Sequence, residues 1–279
     1  MERRGPGFYL LALFFGLFVL FLYGPIVTIG ILSFQGPNGG LTFPMNGVSL
    51  HWFYDLFKEQ AVGDIWGAFG RSFVLGLIVM VTTVVMSVMG GLAFRRSFRG
   101  SSFVFYLVIA SLIIPSILVS LGIGLIFNIL DWPVHWSTSG LGAQLTWTLP
   151  FGLLIMFAVF NRVDRSFEEA GRDLGASSWQ TFRYVVLPMI APSLIGVALF
   201  GFTLSYDEFA RTLLTSGSYN TLPLEIFGMT TNVTTPVLYA LGTLTTAFSL
   251  IIILTFLGIA IFARRRRERL GSDAGKGMV

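Results

Sequence analysis

Two places in this 279-residue sequence group side chains that can do more than pack. One is Ser205-Tyr206-Asp207-Glu208-Phe209, a pair of neighbouring carboxylates in an otherwise apolar stretch, with Arg211 close behind. A charge at mid-bilayer costs roughly 2.5–3.5 kcal/mol on insertion scales, so adjacent acids there need a partner or a purpose. Lining an aqueous path for a small cation is such a purpose. Arg211 supplies the alternative, since it lies four residues after Asp207 and three after Glu208, where one helix face can hold an internal ion pair. Two acids and one base of this kind also suit a zwitterion, such as an amino acid or an aminophosphonate. Tyr206 and Phe209 fit packing better than ligand contact.

The second place is polar: Glu168-Glu169-Ala170-Gly171-Arg172-Asp173-Leu174-Gly175, running on to Val185-Val186-Leu187-Pro188. Good helix formers and charges from Glu168 to Leu174 predict a short surface helix. Gly175 permits a turn that a Cβ disfavours. Ala176–Tyr184 then predicts a second short helix, with Trp179, Phe182 and Val186 at helical spacing along one side. Pro188 has no amide proton and can open the next helix at little cost. Two short helices in a bend form a projecting knob that fits a groove on a soluble partner; an amphipathic loop helix resting on the membrane is the competing reading, but it would need neither both glycine spacings nor the terminal Leu-Pro.

Other chemistries are excluded. The chain has no cysteine, hence no disulfide, thiol nucleophile or thiolate metal site. Its two histidines, His51 and His135, both fall in expected loops, so no metal site is expected. No G-x-x-x-x-G-K-[ST] loop is present to wrap phosphates, and any ATP must be bound by another chain. No nucleophile stands beside a base inside the apolar segments, which argues against a membrane-embedded enzyme.

The elements that carry these residues follow from hydropathy. The chain is 54% hydrophobic and 11% charged, against about 25% charged in soluble domains; its mean hydropathy is +0.78. Six apolar runs stand out: Phe8–Phe34, Ser72–Phe94, Phe103–Leu130 (broken by Pro115), Trp147–Phe160, Pro188–Leu214 and Val237–Ala263. Each is long enough for a membrane helix, at about 20 residues, except the fourth, which is shorter. The expectation is an all-α polytopic protein of six transmembrane helices, a single domain over residues 8–263. It has an N-terminal segment 1–7, a polar loop 161–187 between helices 4 and 5, and a basic, disordered tail 264–279. With six spans, Arg3, Arg4, Arg95, Arg96, Arg99, Arg162, Arg165, Arg172, Arg183 and the Arg264–Arg269 cluster share one side, so both termini are expected to be cytoplasmic. The net charge of +4 is thereby explained by membrane topology, with no nucleic-acid partner.

The polar loop resembles a known motif. Permeases of binding-protein-dependent ABC importers carry E-A-A, three residues, Gly, nine residues, then I-x-L-P on the cytoplasmic side. Here Glu169-Ala170-Gly171 is followed at the same spacings by Gly175 and by Val185-Val186-Leu187-Pro188. The chain departs from the motif by Gly171 for Ala and Val185 for Ile. The resemblance implies a type I permease whose coupling helix contains Glu168, Glu169, Ala170, Gly171 and Gly175, closed by Leu187 and Pro188. It implies that Glu169 meets a basic group on the ATPase and that the small residues allow close approach. It further implies a cytoplasmic ABC ATPase dimer binding ATP and Mg, a second permease subunit, a periplasmic substrate-binding protein, and residence in a bacterial inner membrane. The stretches Gln35–Phe69 and Asp131–Thr146 would meet the binding protein. Within the family, the acidic pair and Leu222-Pro223-Leu224-Glu225-Ile226-Phe227 look most like the spermidine/putrescine group, which generally pairs two different permeases. This implies Tyr206, Asp207, Glu208 and Arg211 as path residues. A secondary transporter is the competing class, but no internal repeat marks one.

Overall fold

The computed structural model describes residues 5–58, 63–96, 98–232 and 235–276. Arg3, Arg4, Glu59 and residues 277–279 of the expected tail lie outside the described residues.

Among the described residues the secondary structure is helical. In chain order it comprises α1 (Pro6–Leu32), α2 (His51–Asp55), α3 (Ile65–Phe94), α4 (Ser101–Ala110), α5 (Ser116–Ile129), α6 (Leu141–Phe160), α7 (Ser166–Asp173), α8 (Ser178–Thr181), α9 (Leu187–Tyr206), α10 (Leu222–Asn232) and α11 (Val237–Lys276). π-Helical turns lead into α6 (Trp136–Gly140) and join α8 to α9 (Phe182–Val186).

Five helical stretches are long and apolar enough to cross a bilayer: Pro6–Leu32, Ile65–Phe94, Trp136–Phe160, Ser178–Tyr206 and Val237–Phe262. The third apolar run is two short helices instead. α4 has 10 residues and α5 has 14, or roughly 15 and 21 Å of rise, and neither alone crosses a core of about 30 Å. Pro115 is the cause: it lacks an N–H, sits at ψ 133° and pushes the residue before it away from helix. Ser111 Oγ donates to the carbonyls of Val108 (2.7 Å) and Thr146 (3.1 Å) just before that break.

α3 begins earlier than the apolar run, because Asp64 caps it. The Gly67 N–H donates to Asp64 Oδ1 at 2.9 Å, and Arg71 approaches Oδ2 at 3.1 Å. The Gly67 amide, helped by Arg71, holds the Asp64 carboxyl below the usual range. At the other end of the chain, α11 runs on through the basic cluster to Lys276, in place of the disordered tail expected from composition. Arg, Glu and Leu are good helix formers, and a helix already nucleated in the apolar stretch extends through them.

The chain divides into two compact units. One takes the residues up to Gly63 with Ile226–Leu250; the other takes Asp64–Glu225 and the chain from Ile251 onward. In the first, Gln35 is fully buried and organises the loop after α1. Its Oε1 accepts from the Asn46 N–H (2.8 Å), and its amide donates to the Gly40 carbonyl (3.1 Å). Tyr239 donates to the Leu41 carbonyl at 2.8 Å.

In the second unit α3, α6 and α9 pack on one another. Val88, Met156, Phe160, Val186, Ile190 and Val197 form the buried cluster. A lipid environment gives helices no hydrophobic reason to associate, so close packing and polar bonds must hold them. Thr83 and Thr148 supply a buried hydroxyl bond of 2.8 Å between α3 and α6. One turn away Gly152 lets the two helices meet, since a Cβ there would stand 2.2 Å from Ser87 Oγ and 3.0 Å from Thr83 Cγ2. Gly152→Val is therefore expected to destabilise the chain by about 1–3 kcal/mol through overpacking. Thermal unfolding in detergent, read as loss of the monodisperse peak, measures it; an unchanged midpoint would show that α3 and α6 separate freely.

Candidate functional site

The polar loop folds as a knob. α7 carries Glu168, Glu169, Ala170 and Gly171, and ends at Asp173 with Leu174 as its C-cap. Gly175 adopts φ 84°, in the left-handed region. Its N–H donates to the Arg172 carbonyl (2.8 Å) while the Ala176 N–H reaches back to Gly171 (3.0 Å), a two-bond closure of the helix end. Ser177 then caps α8 reciprocally with Gln180. Gly171 needs no such licence: a Cβ there would lie 3.6 Å from Thr181, an ordinary contact. The departure from Ala at that position thus changes nothing the fold requires.

Beyond α8 the expected pause before the next span is missing. Ser178–Tyr206 is one continuous helical stretch, with Leu187 and Pro188 inside it. The π-helical turn Phe182–Val186 precedes Pro188 and frees the carbonyl that the ring would strike. The side chains divide by burial. Leu174 is 89% exposed, Tyr184 70% and Trp179 63%, whereas Val186 is 2% exposed. The expected single apolar side of Trp179, Phe182 and Val186 is thus split, with Trp179 outside and Val186 in the core.

The two adjacent acids also part company. Glu169 is exposed. Glu168 is drawn inward, paired with Arg95 at the end of α3 and with Arg172 at 3.4 Å. Arg95 read in sequence only as one of the charges that orient the chain. No periodicity links it to Glu168, 73 residues on.

The acidic pair of the fifth run is not on a helix. α9 ends at Tyr206, with Asp207 as its C-cap, and the chain turns from there to Leu222. The expected shared helix face of Asp207, Glu208 and Arg211 therefore does not form. Asp207 is exposed, and Glu208 Oε1 accepts the Arg211 backbone N–H at 3.3 Å. Among the described residues no carboxylate pairs with the Arg211 guanidinium. That guanidinium is fully buried. It donates from Nη1 to Thr146 Oγ1 (2.9 Å) and lies 5.0 Å above the Trp147 ring, while Nε and Nη2 find no acceptor. Tyr206 packs between Phe202 (5.7 Å, stacked) and Phe69 (6.4 Å, edge-on).

Hydropathy missed this turn because Phe209, Leu213 and Leu214 keep the run apolar. Irregular backbone at membrane depth survives where protein satisfies it. Ser120 Oγ accepts the Leu214 N–H (3.0 Å), Ser139 Oγ donates to the Thr215 carbonyl (2.8 Å), and Thr212 bonds Thr221 (3.0 Å). Of the two histidines expected in loops, His135 precedes the π-helical turn but His51 opens α2; among the described residues no cluster of acids and histidines could hold a metal.

Residues 84–268 match the family described as "Binding-protein-dependent transport system inner membrane component". The chain is 27% identical over 258 residues to the putrescine transport system permease protein PotI of Escherichia coli (strain K12), covering 90% of this chain and 89% of that one. It is 28% identical over 235 residues to the spermidine/putrescine transport system permease protein PotC of Haemophilus influenzae, covering 84% and 89%. Among solved structures, a chain of a bacterial ABC transporter importing the acidic polysaccharide alginate superposes with TM-score 0.67, at 16% identity, over 96% of this chain and 99% of that one. A chain of the MetNI methionine ABC transporter superposes with TM-score 0.54, at 18% identity, over 71% and 94%.

Proposed function

Because the chain belongs to the family of binding-protein-dependent transport system inner membrane components, we propose that it is the permease subunit of an ATP-driven importer whose solutes are polyamines, putrescine or spermidine. It is itself a non-catalytic, multi-pass membrane subunit, and the family implies a bacterial inner membrane.

The observation that carries the coupling role is the exposure of the α7–α8 knob. An apolar Leu174, Trp179 and Tyr184 and an acidic Glu169 face outward from a helix end closed by Gly175. Such a surface is costly to leave in water and suited to a groove on a soluble subunit. In this reading a cytoplasmic ATPase dimer binds ATP and Mg, closes around the knobs, and drives the spans outward-open to receive solute from a substrate-binding protein. α4 and α5 together make the sixth crossing, both termini are cytoplasmic, and residues 8–263 act as one domain. A second, different permease chain completes the path. In this reading Asp207, exposed at the end of α9, meets the cationic amine, with Glu208 and Tyr206 beside it.

Arg211 favours a second reading of the solute alone. A guanidinium with two unengaged donors and no carboxylate partner among the described residues suits an amine that also carries an anion, an amino acid or an aminophosphonate. The test is uptake of radiolabelled putrescine and spermidine by cells carrying the complete transporter. ATP-dependent accumulation of either supports the polyamine assignment. No accumulation, in a complex whose ATPase still responds to another loaded binding protein, removes that assignment and leaves the permease role standing.

A further inference from the structure

The link between the knob and the rest of the helical body runs by two routes. Along the chain, α7 leads through Gly175 into α8, the π-helical turn and α9, one continuous helical stretch from Ser178. That route delivers motion to α9. The second route is made of side chains. Arg95, the C-cap of α3, reaches across to α7: its Nη1 pairs with Glu168 Oε1, and its Nη2 donates to the Val163 carbonyl at 3.0 Å. The guanidinium lies 5.4 Å above the Phe160 ring at the end of α6. Glu168 is held from its other oxygen by Arg172, one turn along α7. The Arg95 and Glu168 side chains are only 10% and 19% exposed, and both line a cleft of about 470 Å³ together with Arg96, Arg165 and Glu169.

A guanidinium bound at two nitrogens, with one face covered by a ring, has little freedom left. It fixes α7 to α3, which is the helix that packs on both α6 and α9. We propose that Arg95 and Glu168 form a latch that makes α7 and the adjoining end of α3 move as one piece, so that a push on the knob reaches α3 directly as well as α9. The proposal rests on the coupling reading given above. It also separates the adjacent acids: Glu169 serves the partner, and Glu168 is a positioning residue for the knob.

The chain lacks cysteine, so labels can be placed without first removing any. Cysteines at Met89 and Ser166, both exposed, take spin labels on α3 and α7. The distance between them is measured in the complete transporter, nucleotide-free and with ATP held by a hydrolysis-deficient ATPase. The expected result is one distance in both states. With Arg95→Gln, or Glu168→Gln as the variant from the other side, the distance becomes state-dependent. ATPase stimulation by the loaded binding protein then falls about tenfold, as loss of a charged hydrogen bond predicts. A distance that already changes with ATP in the parent protein overturns the latch, as does undiminished stimulation in both variants. A photocrosslinker at Leu174 reads the coupling role separately. Absence of crosslinks to the ATPase defeats that role and the latch with it; crosslinks together with a variable distance defeat the latch alone.

Discussion

Glu169→Arg is expected to abolish ATP-driven uptake, by about thirtyfold or more, without loss of folded chain. Glu169 is exposed and enters no ion pair among the described residues, so its replacement costs the fold within about 0.5 kcal/mol. Against a basic groove the reversal turns attraction into repulsion, and a buried interfacial charge pair is worth about 2–5 kcal/mol when one partner is lost. Neighbouring Arg165 and Arg172 on the same cleft deepen the effect, since the new cation joins like charges. Copurification of the ATPase and uptake are measured on the same membranes. Retained ATPase with retained uptake would show that the knob does not couple. Lost ATPase with an unchanged amount of permease is the expected pattern.

The second large effect concerns Arg211. Arg211→Met should leave the folded amount equal or higher, while uptake falls about ten- to hundredfold. The first half follows from burial. The guanidinium is fully enclosed, bonded only at Nη1 by its side chain, and replacing a poorly paired buried charge by an apolar group of similar length is neutral or stabilising by about 1–4 kcal/mol. The second half assigns the two free donors to solute in a state of the transport cycle that uncovers them, at about 1.5–3 kcal/mol for hydrogen bonds to a charged group. Folded yield by size-exclusion fluorescence and uptake by filtration decide it together. Uptake retained alongside raised stability would make Arg211 a relic of packing. A fall in both would assign it to holding the turn against Thr146. If the loss is confined to amines that carry a carboxylate, the second reading of the solute gains over the polyamine one.

Much of the fold was legible where one local rule acts alone. Hydropathy marked the long helices, Gly175 marked the knob's bend, and Pro115 marked the break in the third run. Where composition and backbone bonding disagree, hydropathy misleads. The fifth run stays apolar past Tyr206, yet its backbone leaves the helix because hydroxyls of Ser120 and Ser139, distant in sequence, replace the helical bonds. The start of α3 was missed by about two turns because Arg71 interrupts the apolar pattern, whereas the capping carboxylate of Asp64 starts the helix ahead of it. Of the candidate site, the knob was visible through residue spacing. The Arg95–Glu168 pair was not, since pairing across 73 residues leaves no periodic trace. The i,i+4 arithmetic for Asp207 and Arg211 failed for the same reason as the fifth run: it presumes a helix that has already ended.

The turn after Tyr206 bears on how the chain is made. Ser120, Ser139 and Thr146, three of its long-range supports, all precede it, by 94, 76 and 65 residues from their respective partners. A ribosome delivers them first. When the stretch around Arg211 leaves the insertion machinery, the hydroxyls that will satisfy it are already made, on α5, on the π-helical turn before α6 and on α6. The segment thus has a site waiting for it and need not linger in lipid as a helix carrying a naked cation. Synthesis in the reverse order, as in a circular permutant that places α9 ahead of α5, would strand that cation in hydrocarbon until its partners arrived.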